Sequence, residues 1–369
     1  MNSISFTLHR ANNYGAVLQA YAFQQTLLSL GIDDKIVDEP LRNKTIFSKV
    51  SFDKGLNQAV RALIANATYV IKKKKIIAHN DLLVSFVNNN IKLTEKSYCA
   101  DDELENEYPK ADIYFTGSDQ TFSIYSPLKN SRFLRYASAA SIKASYATSM
   151  MDYPSNQTEK DWLKDSLINY DFLSVREEKL YNYLNTELGI SSEVHVDPVF
   201  LLNPSCWIDM AEAPRKPIEG KYILFYPIVN SPELPKMIEK VKTRLGLPVI
   251  SVQSPERRKT KGVDYYYTTA TIPEFLGLFQ NAEYIITSSF HGTAFSIIFK
   301  KQFTVYTGFE KADRITNILE KFGIPSRGSA SCENMDFSSI EYEHVDKSID
   351  KEIDRSKEYL QKVIGVLNK

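Results

Sequence analysis

The feature that most constrains this chain is a rhythm. Short apolar runs, polar loops and apolar positions at helical spacing follow one another along most of its length. The first forty residues make one β-α-β unit. Residues 4–8 alternate as a strand, and 10–15 form a polar loop. Ala16, Leu18, Ala20, Phe23, Leu27 and Leu28 then sit at roughly helical spacing. Gly31 stops that helix as a C′ glycine, and Ile36 and Val37 open the next strand. From 111 the rhythm returns. It predicts strands at 112–116, 144–148, 172–175 and 194–196, with a helical pattern from Arg176 towards Gly189. After a proline-punctuated stretch at 203–220 it predicts strands at 221–226, 249–252, 284–287 and 303–306. Helices at 233–245, 273–280 and 312–322, and one running to Phe299, alternate with them. Such alternation specifies an α/β chain, with a mainly parallel sheet covered by helices.

The 369 residues exceed what one core ordinarily serves, so two domains are expected. The boundary falls in 203–220, giving units at 1–210 and 218–345. An amphipathic helix in 346–369, with Ile349, Ile353, Leu360, Val363 and Leu367 on one face, packs on one of the two. Lys plus Arg and Asp plus Glu are 45 each, which excludes a nucleic-acid binder held by bulk charge. The 43% apolar content excludes a disordered chain. Cys99, Cys206 and Cys332 show neither a disulfide framework nor a zinc ribbon. No uncharged apolar run reaches the ~18 residues that span a bilayer. The expectation is a cytoplasmic protein without a transmembrane segment. Region 41–110 is less regular. Its four-lysine run, 72–75, has no aromatic neighbours, which favours a solvated helix face over a phosphate- or membrane-binding role.

Ligands of open α/β sheets bind beyond the carboxyl ends of the strands. Four polar loops hold that position: 12–15, 117–120, 176–177 and 288–292. In the last, two serines, a histidine and a glycine lead into a helix whose free N–H groups favour an anion. Ser289 and Gly292 belong to that turn. Gly292 would let an anion approach the backbone, and His291 beside it could exchange a proton near neutral pH. A helix cap is the competing role for His291. Arg176 can grip a carboxylate or phosphate with two nitrogens, or it can pair with Glu177 or Glu178. Lys311 or Arg314 could complete an anion site. Asp119 reads equally as a base or sugar ligand and as a cap. His9, His79, His195 and His344 show no metal spacing, and His195 reads as a core residue. No metal motif, nucleophile elbow, dinucleotide fingerprint or Walker A loop occurs.

Taken in order, these loops resemble the polysaccharide pyruvyl transferase family. The run from Asn13, Gly15, Ala16 and Leu18 to Tyr21 and Ala22 is similar to its N-x-G-A-x-L-x-x-Y-A segment. Gly117-Ser118-Asp119-Gln120 is similar to its G-S-D-Q loop, and Tyr146-Ala147-Thr148-Ser149 to its Y-A-x-S strand. Ser174-Val175-Arg176-Glu177 resembles its S-V-R-[DE] turn. Asp197-Pro198-Val199-Phe200-Leu201-Leu202, with Trp207 after it, resembles its D-P-x-F-L-L segment. Ser289-Phe290-His291-Gly292, continuing to Phe295-Ser296, resembles its S-F-H-G-x-x-F-S signature.

The resemblance implies two Rossmann-like domains facing a cleft, as in GT-B glycosyltransferases. It implies transfer of pyruvate from phosphoenolpyruvate to a glycan or lipid-linked saccharide, often as a cyclic ketal on two hydroxyls. It needs no redox cofactor and no metal, and is compatible with peripheral association at the inner face of the cell membrane. It assigns catalysis to His291, Arg176 and Arg314, where the family usually shows lysine, with Lys311 competing for that role. Donor binding falls to Ser289, Gly292 and Lys311. Acceptor binding falls to Asn13, Ser118, Asp119 and Gln120, with further acceptor loops in 41–110. A nucleotide-sugar-dependent GT-B glycosyltransferase and a non-catalytic glycan-binding protein are the alternatives on the same scaffold.

Overall fold

The computed structural model describes residues 1–40, 56–216 and 218–368. Strand β1 (Asn2–Phe6) leads into helix α1 (Tyr14–Ser29) and back to β2 (Asp33–Asp38). The Asn13 side chain starts α1 by accepting the Gly15 N–H, and Gly31 turns the chain at φ +82° after it. Helix α2 (Leu56–Asn90) and strand β3 (Leu93–Ser97) come next, then α3 (Asp101–Asn106) and β4 (Ile113–Thr116). They are followed by α4 (Lys129–Arg132), β5 (Ile142–Ser145), α5 (Gln157–Leu167), β6 (Ser174–Val175), α6 (Glu178–Asn182), β7 (Glu193–Val194) and α7 (Pro204–Met210). The strands are parallel in the order β3-β2-β1-β4-β5. The pair β6-β7 extends this sheet through bridges from Ala144 to Phe172 and from Thr148 to Val175.

A second run follows: β8 (Ile223–Tyr226), α8 (Glu233–Leu245), β9 (Val249–Val252), β10 (Tyr265–Tyr267), α9 (Ile272–Gln280) and β11 (Tyr284–Thr287). Then come α10 (Phe290–Ile298), β12 (Gln302–Tyr306), α11 (Asp313–Lys321), β13 (Gly328–Ser329) and α12 (Tyr342–Gly365). This sheet is also parallel, in the order β10-β9-β8-β11-β12-β13. Every residue of β4, β8, β9 and β11 is buried, as expected of strands covered by helices on both faces. The strand order reverses between β1 and β4 and again between β8 and β11. The loops leaving those strands face the crevice where α/β sheets bind ligands.

One apolar cluster runs through both halves. Tyr14 stacks on Phe275 at 4.4 Å, and its hydroxyl donates to the Ala270 carbonyl at 3.0 Å. Trp207, wholly buried, meets Tyr21 of one half and Phe295 of the other edge-on. Burying such a ring stabilises by roughly 1.5–3 kcal/mol. Helix α12 touches both halves. Near its start the Tyr342 hydroxyl donates to the Lys301 carbonyl, and near its end the Tyr359 hydroxyl donates to the Ser145 carbonyl at 2.7 Å.

Two expectations fail for local reasons. The strand foreseen at 144–148 ends at Ser145, because Ala147 turns to φ +46° and gives its N–H to Ser174 Oγ. Much of the irregular region is α2, a 35-residue helix. The part of that region at 41–55, where acceptor loops were expected in part, lies outside the described residues. Among the described residues no helix is long and apolar enough to cross a membrane.

Candidate functional site

Two short strands deliver the charges. Arg176 follows β6 directly, and Asp197 stands three residues beyond β7. Asp197 Oδ1 accepts the Val199 N–H at 3.1 Å, which fixes the carboxylate. Its Oδ2 then accepts from Arg176 Nη1 at 2.5 Å and Ser118 Oγ at 3.3 Å, and His291 Nε2 stands 3.5 Å away in an ion-pair contact without a formed hydrogen bond. Burial alone would raise the Asp197 pKa. His291 and Arg176 outweigh it and hold the carboxyl well below the usual carboxylate range. The residue therefore stays ionised and binds the two halves of the molecule through His291.

Arg176 lies in a ring of acids. Its Nη2 is 3.6 Å from Asp119 Oδ1, and its Nε is 3.8 Å from Glu177 Oε2. The guanidinium sits 4.3 Å over the Phe290 ring, a cation–π contact from the opposite half. Burial opposes its charge, but Asp197, Asp119 and Glu177 more than offset this and raise its pKa. Arg314 Nη1 is 3.9 Å from Asp119 Oδ1. With its amide oxygen turned inward, Gln120 accepts from Arg314 at 3.1 and 3.3 Å. Burial first, then the neighbouring Arg176, push the Arg314 pKa down. Glu177 Oε1 accepts from Ser149 Oγ at 2.6 Å, and burial raises that carboxyl's pKa.

Ten buried side-chain polar atoms lack a hydrogen-bond partner among the described residues. Four of them lie in this one cluster: Arg176 Nε and Nη2, Glu177 Oε2 and His291 Nε2. Native interiors ordinarily satisfy such atoms. Here two guanidinium nitrogens, an imidazole nitrogen and a carboxyl oxygen converge with hydrogen-bonding capacity unspent.

His291 is the second residue of α10, whose N-cap Ser289 accepts the Gly292 N–H at 3.2 Å. The first turn of α1 faces it across the halves. A Cβ on Gly15 would come within 2.2 Å of His291 Nδ1, so only glycine lets the imidazole sit there. Tyr226 Oη adds a 3.4 Å contact to Asn13 Oδ1. Two helix N-termini thus meet at the histidine, each favouring negative charge.

Several expected roles need correction. Ser118 is wholly buried and donates to the Ala147 carbonyl at 2.9 Å, so it faces Asp197 and no acceptor. Asp119 and Gln120 face the arginines and belong to the anion end of the site. The space beside Gly292 is filled: a Cβ there would meet Thr287 Oγ1 at 2.3 Å and the Tyr226 ring at 2.8 Å. That glycine serves close packing, not anion approach. Ser289 is occupied as the cap. Lys311 is half-exposed and paired to Asp152 at 3.1 Å, while Arg314 is the cation within the cluster. Asn13 remains exposed at the α1 cap. His195 is a core residue, as read: its Nδ1 lies 2.8 Å from Ser174 Oγ, and burial lowers its pKa to about 3. The sequence offered Glu177 only as a pairing partner for Arg176 and gave no role to Asp197 or Phe290.

The cluster opens to solvent through a cleft of about 50 Å³, lined by Met150, Glu177, Lys179, Lys311 and Arg314 among others. A larger cavity of about 450 Å³, among Asn2, Asp33, Lys35 and Lys96, lies at the amino ends of β1 and β2, beside the edge strand β3. Strand polarity puts it at the opposite end of the sheet from Arg176. No group of three or more His, Cys, Asp or Glu placed for a metal ion occurs among the described residues.

Comparison with solved structures places the chain among α/β proteins of GT-B type. It is similar to MnaA of S. aureus in a co-structure with UDP, at 10% identity and a TM-score of 0.51, over 98% of this chain and 89% of that one. It also matches a UDP-GlcNAc 2-epimerase from Methanocaldococcus jannaschii, at 12% identity and a TM-score of 0.48, over 95% and 91%. The glycosyltransferase SnogD from Streptomyces nogalater matches at 12% identity and a TM-score of 0.38, over 100% and 99%. At such identities the likeness concerns the fold alone. No curated protein matches the chain significantly. A family model described as polysaccharide pyruvyl transferase matches residues 13–308, a span that holds Asp119, Gln120, Arg176, Glu177, Asp197 and His291 of the cluster and ends six residues before Arg314. By that match the chain belongs to the polysaccharide pyruvyl transferase family.

Proposed function

We propose that the protein transfers pyruvate from phosphoenolpyruvate to a pair of sugar hydroxyls on a surface polysaccharide or its precursor, forming a pyruvate ketal. The unpartnered Arg176, Glu177 and His291 atoms facing Arg314 carry this reading. Phosphoenolpyruvate brings a carboxylate and a phosphate to donors that lack acceptors. Arg176 offers two free nitrogens in a fixed fork, which suits either group. Arg314, kept short of counter-charge by burial and by Arg176, gains most from a dianion.

In the proposed reaction the methylene carbon takes a proton, the adjacent carbon becomes electron-poor, and a sugar hydroxyl attacks it. The carbon–oxygen bond to phosphate then breaks, and the second hydroxyl closes the ketal as inorganic phosphate leaves. His291 supplies the proton, and the Asp197 carboxylate beside its Nε2 stabilises the imidazolium. The hydroxyl protons pass to the vacated base and to departing phosphate. No redox cofactor or metal enters these steps. In this reading the donor lies at the junction, held by Arg176 of the unit at 1–210 and by Arg314 and His291 of the unit at 218–345, with Asn13 at the rim on the acceptor side. Closure excludes water, which would otherwise consume the activated carbon.

The test is direct. With a galactose- or mannose-type glycan the purified protein releases phosphate from phosphoenolpyruvate, and the product gains a ketal methyl resonance. Phosphate release without that resonance, or none with any acceptor of a broad panel, refutes the reading.

A further inference from the structure

Helix α2 carries the four-lysine run, and Lys73, Lys74 and Lys75 are exposed on it, as expected of a solvated helix face. From residue 56 through 80 the sequence contains no acid. Around the lysines α2 buries Ile76, His79, Leu83 and Val87 on one face. On the outer face Val70, Lys73, Lys74 and Ile77 follow at helical spacing, with Ile71 and Lys75 beside them. Val70 is 59%, Ile71 82% and Ile77 46% exposed.

A second basic element abuts this face. Lys72 Nζ donates to the Arg257 carbonyl at 3.0 Å, tying α2 to the loop between β9 and β10. That loop adds Arg257, Arg258, Lys259 and Lys261 against two acids, Glu256 and Asp264, of which Asp264 pairs with Lys242. Burial, and then Lys259 and Lys75 nearby, lower the Lys72 pKa despite Glu256. The chain as a whole is neutral, yet here eight cations gather around exposed aliphatic side chains. The loop leaves the carboxyl end of β9, and Arg257 reaches the Ile228 carbonyl beyond β8. The patch therefore borders the crevice side of the molecule.

We propose that the outer face of α2 and the 254–262 loop dock the protein onto an anionic lipid bilayer, with Ile71 and Ile77 entering the headgroup region between the lysines. Charge complementarity selects the partner. Each lysine near an anionic surface adds attraction, and interleaved aliphatic side chains bury into it. A bound bilayer would present a lipid-linked saccharide at the rim of the cleft. This surface stands apart from the donor assignment, and its test is separate.

Full-length protein is sedimented with vesicles of phosphatidylcholine alone or with 30% phosphatidylglycerol, at about 0.1 M salt. Binding is expected to be at least tenfold stronger on the anionic vesicles. A Lys73→Gln/Lys74→Gln/Lys75→Gln variant should lose at least tenfold on them with an unchanged melting temperature. Ile71→Ser/Ile77→Ser should lose the binding that survives high salt. Equal binding to both vesicles, full binding by the lysine variant, or capture by a soluble acidic polysaccharide with no vesicle binding overturns the proposal. Phosphate release on a water-soluble acceptor should be the same in the lysine variant, so failure of docking and failure of the donor reading remain distinguishable.

Discussion

The molecule contains the same trio of residue types twice, each time beyond the carboxyl ends of parallel strands. One is Arg176, Asp197 and His291; the other is Arg10, Asp38 and His9. In the second trio Arg10 donates to Asp38 at 2.5 and 3.2 Å and to Asn88 at 2.9 Å. His9 Nδ1 lies 3.0 Å from the Thr7 carbonyl and Nε2 3.3 Å from Asp38, and Ser97 Oγ donates to Asp38 at 2.5 Å. No buried atom of that trio lacks a partner, whereas three of the first trio do. Moreover, the second trio lies within one half, while the first draws His291 from the other. Residue type alone does not mark a site. Unspent hydrogen-bonding capacity at a junction of two elements does.

Paired substitutions break or sharpen this contrast. His291→Ala should lower phosphate release by about 10²–10⁴-fold, the usual worth of a proton carrier, with the melting temperature held or raised. His9→Ala should do the reverse, costing about 1–3 kcal/mol of stability by denaturant unfolding and leaving turnover per folded molecule intact. Arg314→Gln should cost about 10²–10³-fold in turnover. Arg10→Gln should leave turnover unchanged and show its loss in the unfolding midpoint. Equal kinetic damage from both members of either pair would dissolve the distinction. Gly15→Ala should displace the His291 ring and lower turnover by ~10²-fold, while donor binding to the arginines survives in a calorimetric titration.

The smallest effects are in pH dependence, and they have opposite signs. Asp38 is held below the usual carboxylate range because His9, Arg10 and Ser97 outweigh its burial. Its contribution is present above the unfolded value of about 4 and is lost as pH falls. Asp38→Asn should therefore flatten the acid limb of the stability profile. Glu177 is raised by burial, so its contribution is full at low pH and is lost as pH climbs. Glu177→Gln should gain stability relative to the parent towards alkaline pH. A Glu177→Gln profile parallel to the parent's would show that the carboxyl is not strained.

Legibility in the sequence followed period and punctuation. Helix α8 and strands β9 and β11 fall where spacing and Gly246 put them, because each buries one face or both against the core. Helix α2 escaped notice because its apolar residues lie on both faces, Val70 and Ile71 outward and Ile76 and Leu83 inward. That blurs any period. Within the site, His291 and Arg176 were legible from the strand-to-helix turns they occupy. Asp197 was not: before Pro198 it reads as a strand breaker, and its contacts with Arg176 and His291 exist only after the two halves meet. Gly292 misled for a related reason. A glycine at a helix start signals either anion approach or close packing, and only the Thr287 and Tyr226 side chains decide which.

The central claim is that this junction holds a small dianion between two arginines and a histidine. Its most direct test is thermal unfolding of the purified protein with phosphoenolpyruvate and, separately, with a nucleoside diphosphate. Phosphoenolpyruvate should raise the melting temperature of the parent, by about 2.7 kcal/mol of stabilisation at a hundredfold excess over its dissociation constant, and should not raise that of Arg314→Gln. Stabilisation by the nucleotide alone, or equal stabilisation of parent and variant by phosphoenolpyruvate, would contradict it.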